Sequence, residues 1–169
     1  MIFAVLILLG PLVAFLINGL LGRRYIKNLA PIVAIAGVSV SFICALIVFY
    51  LVSTQGFSVD ATLYTWVIAG KLSVPFGILV DPLSSIMLIV VTTISLMVHI
   101  YSIGYMHGDP GFWRFFTYLS VFTLSMLVLV LGNNFLMLFV GWELVGLSSY
   151  LLIGFWFHKK SAADACKKA

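Results

Sequence analysis

Five stretches of this chain are apolar over about 20 residues each, and that feature leaves few folds open. Twenty helical residues span about 30 Å, the thickness of a bilayer's hydrocarbon core. Hydrocarbon offers the backbone no hydrogen-bond partner, so a crossing segment must pair its own N–H and C=O groups, as a helix does. The pattern predicts an all-α integral membrane protein of five transmembrane helices. They should cover about residues 2–21, 29–52, 81–102, 112–131 and 134–158, in one membrane domain over residues 1–169. Composition agrees: 63% of residues are hydrophobic and 8% charged, against about 25% charged in a typical globular domain.

The net charge is +4, and its placement decides what it means. Basic residues sit at the ends of apolar runs, as membrane topology requires, and no basic arm interleaves with aromatics, so nucleic-acid binding is excluded. Arg23, Arg24, Lys27, Arg114, Lys159, Lys160, Lys167 and Lys168 all fall on one side of a five-span arrangement, and Lys71 alone falls on the other. The positive-inside rule then puts the N-terminus outside and the tail in the cytoplasm.

Local signals refine the elements. Gly10-Pro11 should kink the first helix, because proline lacks an N–H and crowds the preceding turn. Gly37, Ser39, Ser41 and Ala45 give the second helix small residues for close packing. Between helices 2 and 3 the texture changes. Thr62–Ile68 is β-branched and aromatic, Ala69-Gly70-Lys71 reads as a turn, and Leu72–Phe76 alternates. This predicts a β-hairpin at the membrane surface, with Pro75 on an edge strand. Asp81-Pro82 is a helix start, with Asp as N-cap and Pro at the first position. Gly132-Asn133-Asn134 holds only a tight turn, so helices 4 and 5 must be an antiparallel pair. Trp66, Trp113 and Trp156 lie near boundaries, as interfacial tryptophans do. The apolar start has neither a basic leader nor a small-residue cleavage site and reads as a retained helix. Cys44 and Cys166 form no disulfide framework.

The candidate chemistry centres on Glu143. It lies roughly 14 Å along the helix from Asn134 and roughly 24 Å from Lys159, inside the hydrocarbon region. A charge there costs at least about 2.5–3.5 kcal/mol, so the carboxyl needs a cation, a proton or a water-filled cavity. Intramembrane acids mark proton or ion pathways, and that reading is preferred over a neutral structural carboxyl held by a neighbouring helix. Tyr150, one heptad on, shares the Glu143 face. Ser148 and Ser149 add hydroxyls and Trp142 adjoins the acid, so these four would line a hydrated path. The structural alternative for them is helix packing. No lysine or arginine of this chain reaches mid-membrane, so a cationic partner for Glu143 must come from elsewhere.

His99 is a second candidate, since imidazole can relay protons near neutral pH. The alternative is a histidine favoured by the C-terminal helix dipole. Asp60, His107, Asp109 and His158 fall in connections. There is no Gly-rich phosphate loop, no nucleophile elbow, no His/Cys ligand set, and no haem or iron–sulfur motif. The chain is expected to carry no redox cofactor.

Several stretches together resemble a known family: Val80-Asp81-Pro82-Leu83-Ser84-Ser85-Ile86-Met87, His99-Ile100-Tyr101-Ser102-Ile103-Gly104-Tyr105-Met106, Arg114-Phe115-Phe116, and the long run from Gly141-Trp142-Glu143-Leu144 through Ser148-Ser149-Tyr150 to Phe155. The set is similar to the antiporter-like L subunit of NADH–quinone oxidoreductase, respiratory complex I, the counterpart of mitochondrial subunit 5. The resemblance implies a proton-translocating membrane subunit driven by quinone reduction elsewhere in the complex. It implies a place in a bacterial plasma membrane or an energy-transducing organelle inner membrane. It makes Glu143 a proton-pathway residue paired with a lysine on a broken helix beyond residue 169, and matches His99 to a family histidine. FMN, iron–sulfur clusters and quinone would belong to partner subunits. Expected partners are the other membrane subunits, above all a neighbouring antiporter-like subunit and the rest of its own subunit. A Mrp-type sodium/proton antiporter A subunit is the nearest alternative, and a non-transporting membrane scaffold is the third.

Overall fold

A computed structural model describes residues 1–22, 24–27, 29–70 and 72–168. Arg23 and Lys71, two of the charges used for topology, lie outside the described residues with Asn28 and Ala169. The element order is α1 (Ile2–Leu21), α2 (Ala30–Gln55), β1 (Val59–Ala69), β2 (Leu72–Val80), α3 (Pro82–Tyr105), α4 (Phe112–Leu131), α5 (Phe135–Ile153) and α6 (Lys160–Lys168). The first five helices are each long and apolar enough to cross a membrane. The chain is therefore a mainly helical, integral membrane protein with five candidate spans and a two-stranded hairpin.

The closest helix contact joins α1 to α2, and the small residues explain it. Pro11 has no N–H for the carbonyl of Ile7, one turn back. Ser41 of α2 fills that vacancy, its Oγ donating to Ile7 O at 2.7 Å. The approach is possible because Gly37 faces Gly10: a Cβ on Gly37 would lie 2.5 Å from Gly10 O and 2.9 Å from Ala14 Cβ. Asn18 closes the other end of the pair, its Nδ2 donating to Ala30 O at 3.0 Å. The main core is apolar and combines Ile7, Val48, Val52, Leu88, Leu127 and Leu131 from α1 to α4 with Ile78 and Val80 from β2.

The hairpin is longer than the sequence signals suggested. β1 and β2 pair antiparallel from Val59 opposite Val80 to Ala69 opposite Leu72, with register shifts after Thr62 and Thr65. Gly70 adopts φ +60 at the turn, a conformation that favours glycine. In a two-stranded sheet each strand is an edge, so Pro75 costs no ladder bond to a third strand. The free carbonyl of Pro75 instead accepts from Asn134 Nδ2 at 2.8 Å. Asn133 Nδ2 donates to Asp60 Oδ1 at 2.9 Å, and Ile78 bridges Gly132. The hairpin is thus fastened to the α4–α5 turn, whose brevity makes those helices antiparallel. Asp81 caps α3 as expected. Its Oδ1 accepts from Ser84 N–H at 2.6 Å, and Ser84 Oγ accepts from Asp81 N–H at 2.8 Å, closing a capping box.

The last span differs from expectation. It ends at Ile153 rather than near His158, and residues read as a basic tail form α6. Gly-Phe-Trp-Phe is apolar enough to continue a helix, but tertiary contacts redirect it. Phe155 is buried beneath Arg114, whose guanidinium carbon lies 4.8 Å from its ring centroid, and edges against Phe115 and Trp156. Gly154 lets α6 approach, since a Cβ there would sit 3.1 Å from Cys166 Sγ. α2 runs to Gln55, where Gly56 ends it with φ 62, and α3 continues through Gly104 to Tyr105. Cys44 and Cys166 are both free and buried.

Candidate functional site

The face that α5 gives to α4 is set by its small residues. A Cβ on Gly141 would lie 2.9 Å from Leu129 Cα, so Gly141 lies against α4. Met137 and Ser148, one turn before and one heptad after, are buried on the same stripe. Glu143 follows Gly141 by two residues, about 200° round the helix, and therefore points away from α4. It is exposed, and no described residue offers it a hydrogen bond or an ion pair. Tyr150 returns to within about 20° of Glu143 and is 47% exposed. Gly146 opens the same face, with nothing within 4 Å of a Cβ built on it. α5 has α4 as its main neighbour and α6 at its C-terminal end. No described element packs on the Glu143 face.

The expected lining residues divide between two sides. Tyr150 and Glu143 share the outward face, with Trp142 beside them at 63% exposure. Ser149 is half-buried. Ser148 is buried on the α4 side, and its Oγ donates back to Val145 O at 3.0 Å. Within these residues, Ser148 does not line a path with Glu143.

His99 belongs to a different seam. It is fully buried on α3, 6.3 Å from the Phe116 ring of α4. Its Nδ1 lies 2.8 Å from Ser95 O and 3.3 Å from Ser95 Oγ. A carbonyl accepts only, so Nδ1 carries a proton in this arrangement. Nε2 is buried and has no partner among the described residues. Ser95 Oγ also meets Thr123 Oγ1 at 2.5 Å, and Thr123 Oγ1 donates to Leu119 O at 3.0 Å. His99, Ser95 and Thr123 form a short hydroxyl–imidazole chain across α3 and α4. A groove of about 240 Å³ opens beside it, lined by Met87, Ile94, Val98 and Phe122 as well as Ser95 and Thr123. Sequence reasoning did not single out Ser95 or Thr123. The available signal was Ser95 one turn before His99, since i and i−4 share a helix face. Among the described residues no group of three or more His, Cys, Asp or Glu comes together to hold a metal.

Comparison with known proteins locates these elements in a larger frame. The family described as NADH-Ubiquinone oxidoreductase (complex I), chain 5 N-terminus, matches residues 66–116. The family described as NADH:quinone oxidoreductase/Mrp antiporter, TM, matches residues 132–169. The chain is 50% identical over 166 residues to NADH-quinone oxidoreductase subunit L of Rickettsia bellii, covering 98% of this chain and 26% of that protein. It is 48% identical to subunit L of Neisseria meningitidis serogroup B, covering 97% of this chain and 25% of the relative. It is 46% identical over 138 residues to the chloroplastic NAD(P)H-quinone oxidoreductase subunit 5 of Mesostigma viride, covering 82% of this chain and 21% of that one. The chain spans about a quarter of the length of the curated relatives it matches. Its fold also matches a chain in the structure of the membrane-bound sulfane sulfur reductase, an archaeal respiratory membrane complex. The TM-score is 0.83 at 16% identity, covering 98% of this chain and 32% of that one. At that identity the likeness concerns the fold alone.

Proposed function

We propose, on the premise that this chain belongs by sequence to the L subunits of NADH-quinone oxidoreductase and corresponds to their N-terminal part, that it forms the N-terminal part of a proton-translocating membrane subunit. The observation that carries the proposal is the position of Glu143. A carboxyl in mid-span, on a helix face that no described residue covers, is too costly to leave against lipid. The face must be closed by protein or by confined water. A cation supplied by the rest of the subunit, or by a neighbouring antiporter-like subunit, would hold Glu143 ionised. Withdrawal of that cation would let it take a proton. A carboxyl that alternates between these states loads and releases one proton per cycle.

Tyr150 and Trp142, with half-buried Ser149, would flank the route. His99 would serve a separate stretch through Ser95 and Thr123, because it lies on the far side of α4 from the Glu143 face. Bulk topology supports an N-terminus outside and the α6 end in the cytoplasm, since Arg24, Lys27, Arg114, Lys159, Lys160, Lys167 and Lys168 all sit at the α6 end. Partner subunits would supply FMN, iron–sulfur clusters and quinone. The subunit L names of the relatives support this reading over a Mrp-type antiporter, which shares only the second family description.

The test uses the full-length subunit in its assembled complex. Glu143→Gln keeps size and hydrogen bonding but cannot ionise. Assembly should persist while protons moved per NADH oxidised fall in inverted membrane vesicles. An unchanged ratio in an assembled mutant complex would overturn the proposal.

A further inference from the structure

The end of the bundle opposite the hairpin holds a cavity of about 290 Å³ between α4, α5 and α6. Its polar lining is cationic and hydroxylic: Arg114, Lys167, Tyr118 and Tyr150. The remaining wall is apolar, including Leu151, Phe155 and Phe157. Arg114 is half-buried, yet its hydrogen-bonding capacity is largely unused. Its Nε is buried with no partner among the described residues. One terminal nitrogen makes a single long bond, 3.4 Å to Phe155 O. The guanidinium is otherwise held by ring faces, 4.8 Å from the Phe155 centroid and 5.6 Å from that of Phe157.

No described carboxylate lies within ion-pair distance of it. Asp109 lies nearby, but its Oδ1 accepts from Gly111 N–H at 2.7 Å and its Oδ2 from Trp156 Nε1–H at 3.0 Å. The ion pair among the described residues is Lys167–Asp164, 3.9 Å apart and exposed. With Nε buried and one terminal N–H directed at Phe155 O, the remaining terminal N–H donors, on a planar fork held by two aromatic faces, suit an oxyanion with several oxygens.

We propose that this cavity binds the phosphodiester headgroup of an anionic phospholipid. Three features favour a lipid. The cavity lies at the mouth of two apolar spans, where headgroups lie. Its wall passes from charged to apolar, so it accepts a phosphate and the first carbons of an acyl chain together. Lys159, 5.2 Å from the Trp156 ring, and Lys160 extend the positive rim along that surface. Arg114 grips the phosphate, Tyr118 lines the wall beside it, and Lys167 closes the rim. Bound lipid would also brace the break between α5 and α6, where Gly154 and Phe155 leave the helical path.

The experiment uses the assembled complex, purified in mild detergent and equilibrated with vesicles of equal phosphatidylglycerol and phosphatidylcholine. Co-purifying phospholipid is counted by mass spectrometry. Wild type should retain phosphatidylglycerol preferentially, and Arg114→Gln and Lys167→Gln should each cut the preference about fivefold. Lys167 is exposed on α6, so its variant decides the matter even if Arg114→Gln fails to assemble. Arg114→Lys, which keeps charge but loses the fork, should fall between wild type and Arg114→Gln. Equal preference in wild type and both charge variants would overturn the proposal. So would displacement of the lipid by millimolar inorganic phosphate, which would make this a free-phosphate site, or a protein carboxylate found seated against Arg114.

Discussion

Gly37→Ala tests the packing that sets α1 on α2. The added Cβ would lie 2.5 Å from Gly10 O and 2.9 Å from Ala14 Cβ. Relaxed contacts between heavy atoms begin near about 3.5 Å, so the helices must part by about 1 Å. That displacement stretches the Ser41 Oγ–Ile7 O bond from 2.7 Å beyond useful hydrogen-bond range. Overpacking costs about 1–3 kcal/mol. Leaving the Ile7 carbonyl unpaired above Pro11 adds about 1 kcal/mol. The sum is about 2–4 kcal/mol, seen as earlier thermal loss of the subunit from the assembled complex in detergent. Gly10→Ala should cost a similar amount, because its Cβ would meet Gly37 O and lie 2.6 Å from Ser41 Oγ. One opening of the pair relieves both clashes, so the double variant should cost less than the two singles together. Wild-type thermal behaviour in Gly37→Ala, or strictly additive losses in the double, would refute this account of the α1–α2 contact.

Two further outcomes follow from the contacts described. Asn134→Ala removes both the cap on Met137 N–H, 3.0 Å, and the donor to Pro75 O, 2.8 Å. The start of α5 should lose about 0.5–2 kcal/mol, and amides of residues 59–80 should exchange faster with deuterium. Equal exchange would mean that the hairpin is held by other contacts. Ser95→Ala cuts the link between His99 and Thr123 while leaving the Ser95 carbonyl in place. If that chain conducts, proton pumping should slow more than NADH oxidation measured with an uncoupler, and equal slowing of both would sink the idea.

What was legible in the sequence follows from how local each signal is. The apolar runs are complete within themselves, so five spans could be counted. Asp81-Pro82-Leu83-Ser84 carries its own capping chemistry, and the small residues Gly37 and Ser41 announced close packing. The partner of Ser41 was not legible, although Pro11 had already exposed Ile7 O, because the pairing crosses 34 residues. The end of α5 was hidden for a related reason. Gly154-Phe155-Trp156-Phe157 has a helix-like apolar texture, and only the Arg114–Phe155 contact with α4 shows why the chain turns away. For the candidate site, the heptad pairing of Glu143 with Tyr150 was readable. Which face α4 would occupy was not, and that choice puts Ser148 and His99 apart from Glu143. The His99–Ser95–Thr123 chain needed the register between two helices, which no single-helix pattern contains.

The central claim is that Glu143 takes up and releases a proton during turnover. The most direct measurement is infrared difference spectroscopy of the assembled complex between resting and NADH-reduced states, wild type against Glu143→Gln. The wild-type difference spectrum should contain a carboxylic C=O band that shifts in deuterium oxide and is missing from the variant. Identical carboxyl regions in the two spectra, with both complexes fully reduced, would contradict it.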